Sequence, residues 1–238
     1  MSLGHDGGMS LEPTKPPPAP PGLDALREVV DSGLLRCGVP AHLGGAGDGL
    51  AALAAGAAEL ARHDPAAAWL LWAQRLAIEA LLQSPNVALR EHWLADFLSG
   101  ERAATVAPSF DALYAHDTGR GWLLRGELQP VPNLQWAGFS LIAPVRLNGP
   151  VDHWVLLRSE EDGLSVVPDT GANWPAKALA GTLRLEHVFF REDEWLFGPD
   201  LPQRLAPVAA ALAPGLPCPT DWNRTALSTL SPSTFPTT

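Results

Sequence analysis

Four glycines, Gly44, Gly45, Gly47 and Gly49, stand close together in GVPAHLGGAGDG, just ahead of an alanine-rich segment. A glycine turn opening a helix is one way to hold a phosphate, because bare backbone N–H groups and the positive end of the helix dipole meet there. That chemistry needs a strand leading into the turn. Here the upstream stretch from Leu23 to Val39 spaces Leu26, Val29, Val30, Leu34 and Leu35 as one helix would, and no Lys-Ser or Lys-Thr pair follows the glycines. The turn therefore reads as a corner between two helices, with glycine supplying positive φ.

Other constellations offer less. Histidines at 5, 42, 63, 92, 116, 153 and 187 never fall at a metal-binding spacing, so no metal ligands are assigned. There is no Gly-x-Ser-x-Gly elbow for a nucleophile. Cys37 and Cys218 lie far apart and form no Cys-x-x-Cys pair, which implies neither a disulfide framework nor a zinc ribbon. Nine tryptophans are many for this length. Trp136, Trp154 and Trp174 are candidates to line a ligand slot, with core packing the favoured reading, and Trp69 and Trp72 share one helix face.

These residues must be positioned by two kinds of structure. Leu50 to His63 places Leu53, Ala57, Leu60 and Ala61 on one face, and Asp64-Pro65 then caps and opens a third helix. That helix, AAAWLLWAQRLAIEALLQ, is apolar around most of its circumference and is expected to be the buried centre of this half. Ser84-Pro85 starts a fourth, with Leu89, Trp93, Leu94 and Phe97 as its stripe and Gly100 as its stop. From Arg102 onward, short apolar segments alternate with Gly, Pro, Asn and Asp, the pattern of an antiparallel barrel or sandwich. Within Thr182–Phe190, Leu183, Leu185 and Val188 oppose Arg184, Glu186 and His187, with one shift near the end.

The expected organisation is α+β. Residues 1–22 form a proline-rich leader, 23–101 an all-α domain, 102–198 an antiparallel β-barrel domain, and 199–238 a short helical remnant broken by Pro207 and Pro214, followed by a disordered Ser, Thr and Pro-rich tail. The net charge of −10 and pI near 5.0 argue against a nucleic-acid partner, whose phosphates need cations. No segment has the length of a membrane span or the apolar core of a signal peptide, so the expected location is the cytoplasm.

The order of motifs resembles the acyl-CoA dehydrogenase family. Gly38, Pro40, Gly44, Gly45 and Gly47 match its corner after the first helix. Glu59 and Asp64 match the next helix end, and Ser99, Gly100 and Glu101 match the close of its helical domain. Gly181, Thr182, Leu183, Leu185, Glu186, Val188, Leu196 and Gly198 follow the last strand of its middle domain. The resemblance implies a helical domain followed by a β-barrel, FAD as cofactor, an acyl-CoA-type small molecule as substrate and a role in fatty acid metabolism. In that chemistry a glutamate removes the α-proton of an acyl thioester while hydride leaves the β-carbon for the flavin. The family's base belongs to a C-terminal helical domain. The expectation is therefore a chain truncated before that domain, with no catalytic residue assigned, that either self-associates or is completed by a partner chain.

The flavin-binding positions implied by the resemblance are Pro108, Val131 and Asn133. Around Pro108 the family's Thr-Glu-Pro and Gly-Ser-Asp correspond to Val106, Ala107, Pro108, Ser109, Phe110 and Asp111. Its second flavin motif corresponds to Pro130, Val131, Pro132 and Asn133. The two prolines there remove two backbone N–H donors and one hydroxyl. Two functions follow: a flavin-dependent acyl-thioester oxidoreductase, incomplete as this chain alone, or a non-catalytic binding or assembly module of the same fold.

Overall fold

The computed structural model describes residues 23–47, 49–107, 112–136, 138–151, 153–169 and 174–216. Among these described residues five α-helices and eight strands follow in the order α1 (Leu23–Asp31), α2 (Leu50–His63), α3 (Pro65–Gln83), α4 (Val87–Ser99), β1 (Ala103–Val106), β2 (Leu113–Asp117), β3 (Trp122–Val131), β4 (Phe139–Arg146), β5 (His153–Arg158), β6 (Leu164–Pro168), β7 (Gly181–Phe190), β8 (Trp195–Phe197) and α5 (Leu201–Leu212).

Helix α3 is the axis of the helical half, buried continuously from Ala66 to Leu81 and packed against α1, α2, α4, α5 and β1. Its start is local chemistry: the Asp64 carboxylate accepts from the Ala66 and Ala67 N–H groups at 2.8 and 3.1 Å, and Pro65 occupies the first turn. The start expected at Ser84-Pro85 lies a little further on. Asn86 is the N-cap of α4, accepting from the Leu89 N–H, while its own amide donates to the Asp193 and Trp195 carbonyls at 3.0 Å each. Ser84 Oγ donates to the Leu196 carbonyl at 2.6 Å. One helix corner thus fastens β8 to the helical half.

The single helix expected from Leu23 to Val39 is divided. α1 ends at Asp31, Gly33 turns at φ 74°, and Leu34–Arg36 form a short 3₁₀ turn whose Leu34 and Leu35 still face the core. The break keeps the apolar set buried while changing direction.

The sheet runs β6-β7-β3-β2-β4-β5-β8, with β1 also on β4. It corrects the barrel expectation in two ways. The edges β6 and β8 do not pair, so the sheet is open, and β1 and β2 both pair parallel with β4 along successive parts of one edge. Alternation reports burial, not which strands meet, so closure was beyond it. The shift foreseen in β7 is a bulge: Glu186 faces Arg125 and Val188 faces Leu124, leaving His187 as the extra residue at φ 59°.

Pro207 does not break the C-terminal segment. Leu201–Leu212 is one helix with Pro207 inside it, burying Leu205, Val208 and Leu212 and packing on α2 and α3. The segment joins the helical core instead of standing as a remnant. The leader and residues 217–238 lie outside the described residues, as does the disorder expected of the tail.

Candidate functional site

Gly38, Gly44 and Gly47 have φ of 74°, 87° and 76°. The N–H groups of Gly44, Gly45, Ala46 and Gly47 donate to the carbonyls of Ala41, Pro40, Arg36 and Val39, and the Arg36 guanidinium donates to the Gly44 carbonyl. All four donors that a phosphate would need are turned inward. Gly45 is fixed by space, since a Cβ there would lie 1.8 Å from the Val39 carbonyl oxygen.

The second flavin motif is equally committed. Val131 is fully buried at the end of β3 and pairs with Gly181. β3 loses register between Leu128 and Val131, where Pro130 has no N–H for the ladder. Asn133 is fully buried at φ 64°, and its N–H donates to the Ala178 carbonyl at 2.9 Å. Its Nδ2 donates to Gln74 Oε1 at 3.0 Å and to the Ala104 carbonyl at 2.9 Å, and its Oδ1 accepts from Gln135 Nε2 at 3.1 Å. Pro132 between them has no N–H at all. The described residues of this motif therefore offer a flavin no free donor, and on that stretch they do not fit the group. Pro108 and residues 109–111 lie outside the described residues.

Gln74 is the hub of this arrangement, and nothing in its sequence context marked it. From the buried face of α3 its Nε2 donates to the Phe97 and Arg102 carbonyls at 2.9 Å each, while its Oε1 accepts from the Ala104 N–H at 2.7 Å as well as from Asn133. One side chain joins α3, the end of α4, β1 and the loop after β3.

Immediately after Asn133 the chain opens into a cleft of about 420 Å³. Leu134, Trp136 and Phe139 form one side, Val166 and Pro168 of the edge strand another, and Leu179 and Ala180 a third. Of the three tryptophans picked out as slot candidates, Trp136 lines this cleft and is 65% exposed, whereas Trp154 and Trp174 are core residues. Trp174 packs on Trp69 with ring centroids 4.6 Å apart.

At the cleft's polar end Arg102 Nη1 and Nη2 donate to the two oxygens of Glu160 at 2.9 and 2.7 Å. Arg102 also donates to Ser140 Oγ and the Phe139 carbonyl, and its guanidinium lies 5.6 Å from the Trp93 ring. The Arg102 hydrogen bonds hold the Glu160 carboxyl well below its ordinary range, at about 2, with a further hydrogen bond from Ser159. A second ion pair, Arg75–Glu79 at 3.0 Å, is buried inside the helical half, where desolvation lowers the Arg75 pKa. Among the described residues no cluster of three or more His, Cys, Asp or Glu could hold a metal ion, and no helix is long and apolar enough to cross a membrane.

The open sheet behind a bundle centred on α3, with the corner after α1, is an arrangement other chains share. The family described as acyl-CoA dehydrogenase, N-terminal domain, matches residues 18–101. This chain has the fold of the acyl-CoA dehydrogenase helical and middle domains. Among solved structures, a Tcur3481-Tcur3483 steroid ACAD variant is 29% identical, with a TM-score of 0.61, over 80% of this chain and 53% of that one. The ChsE4-ChsE5 complex from Mycobacterium tuberculosis is 23% identical, with a TM-score of 0.64, over 80% and 53%. An acyl-CoA dehydrogenase complexed with FAD from Bacillus anthracis is 19% identical, with a TM-score of 0.61, over 72% and 32%. The chain thus spans about half the length, or less, of these acyl-CoA dehydrogenase structures. No curated protein matches it by sequence.

Proposed function

We propose that the chain is a subunit of an assembly that oxidises an acyl thioester with FAD, and that the flavin is held mainly by another chain of that assembly. The observation that carries this reading is the commitment of Pro132 and Asn133. One lacks an N–H, and the other spends its N–H and its whole side-chain amide on the fold. A buried flavin edge left without such donors loses roughly 1 to 3 kcal/mol for each unpaired group.

Support for a second chain comes from the likeness to the ChsE4-ChsE5 complex and the Tcur3481-Tcur3483 steroid ACAD. Support for FAD comes from the fold shared with a dehydrogenase complexed with it. In this reading the chain contributes a rigid scaffold: the helical bundle and open sheet locked together by Gln74. Equilibrium dialysis of the folded chain against FAD is the test. The expected outcome is no saturable uptake, and stoichiometric uptake by this chain alone would overturn the proposal.

A further inference from the structure

The cleft after Asn133 has the properties of a binding site in its own right. Its volume of about 420 Å³ lies within the range of small-molecule pockets. Its walls come from three separate parts of the sheet domain, and one of them is held in an unfavourable conformation. Leu179 sits at φ 47°, in the left-handed region that a branched side chain disfavours, and Asn133 at φ 64° stands behind it. The Leu134 N–H donates to the Leu179 carbonyl at 3.0 Å, so the tie that maintains this conformation also sets Leu134 and Leu179 side by side on the cleft wall. Local strain of this kind persists where surrounding structure over-determines it, and it concentrates at binding sites.

The electrostatics select the ligand class. Among the described residues lining the cleft Glu160 is the one ionisable group, and both its oxygens are bound by Arg102. Ser159 Oγ is occupied as well, accepting from the Phe139 N–H at 3.0 Å and donating to Glu160. Among the described residues the lining thus presents no unpaired charge to a ligand, and the Arg102 cation beside it is bound to Glu160 and not free for a phosphate or carboxylate. What remains is mostly apolar surface, with the Gln135 amide beside it and the Trp136 ring standing at the rim, 65% exposed.

We propose that this cleft binds an uncharged, largely apolar small molecule, which Trp136 covers from the rim. Probe binding by the chain without flavin and FAD uptake are read separately, so either reading can fail without the other.

Titration of the chain with Nile red, an uncharged probe whose emission rises in apolar surroundings, tests it. Saturable binding is expected. Val166→Trp, on the edge strand β6, should fill the cleft and weaken binding at least tenfold. Trp136→Ala should weaken it about fivefold, the equivalent of about 1 kcal/mol of lost ring contact. Because Trp136 is exposed, that variant keeps the fold and decides the matter if Val166→Trp does not fold. Binding unchanged by Trp136→Ala would overturn the proposal. So would tighter binding of the anionic probe anilinonaphthalene sulfonate, or probe release as the chain self-associates, which would make a second copy the occupant.

Discussion

Gln74 Oε1 on the central helix accepts the Asn133 Nδ2–H at 3.0 Å across a sequence separation of 59 residues, and the same oxygen accepts the Ala104 N–H at 2.7 Å. The helical half and the sheet are therefore joined by a buried amide pair whose polar atoms are matched to each other and to backbone. A satisfied buried network of this kind gives a single docking geometry, and a half-satisfied one is costly.

Asn133→Gly and Asn133→Ala separate the two demands made on this position. Glycine keeps the φ of 64° but leaves Gln74 and the Ala104 carbonyl short of a donor, a loss of about 2 kcal/mol. Alanine adds left-handed strain of about 1 kcal/mol. Urea unfolding should show both midpoints lowered, alanine further, with unchanged slopes. Equal midpoints for alanine and wild type would show that the amide pair does not hold the halves together.

Gly45→Ala places a methyl group where the Val39 carbonyl already lies, 1.8 Å from the new Cβ. The corner must open, at a cost of about 2 kcal/mol or more. Gly149→Ala, with nothing within 4 Å of its Cβ, serves as the control and should be near neutral. Thermal melts of the two variants give the comparison.

The Arg102–Glu160 clasp makes part of the stability dependent on acid. The Glu160 pKa falls from 4.5 to about 2 on folding, so the contribution is fully present above the unfolded value and fades as pH drops from 4.5 toward 2. Glu160 is half exposed, which limits the effect to about 1 kcal/mol or less. Glu160→Gln should flatten the stability profile in that window and leave its shape at neutral pH unchanged. A profile with the same acid slope in the variant would place the titrating group elsewhere.

How much of this was legible in the sequence depended on the range of the forces involved. Asp64-Pro65 and the stop at Gly100, whose φ is 72°, were readable because a cap or a left-handed turn is decided by adjacent residues. The β7 bulge was readable because two polar residues in succession, Glu186 and His187, interrupt a strict alternation. The open sheet was not, since the parallel pairing of β1 and β2 with β4 is a choice of partner that no single strand encodes. Helix α5 was misread through Pro207, which costs one backbone bond but leaves Leu205, Val208 and Leu212 on one buried face.

The candidate site divides in the same way. Val131 and Asn133 were singled out for the flavin by resemblance alone, and the commitment of Asn133 to Gln74 depends on a helix far away in the chain. Trp136 was among the tryptophans picked out, but its exposure at a cleft, in contrast to the buried Trp154 and Trp174, is set by the loop geometry between β3 and β4.

In the proposed assembly this chain contributes scaffold while another chain holds the flavin. The visible absorption spectrum of the folded chain, taken after incubation with excess FAD and passage through a desalting column, decides between the two chains. The expected result is a protein fraction without a flavin band, from a chain whose circular dichroism and cooperative melt show it folded. A flavin band that stays with the chain in stoichiometric amount would contradict it and make this chain the flavin carrier.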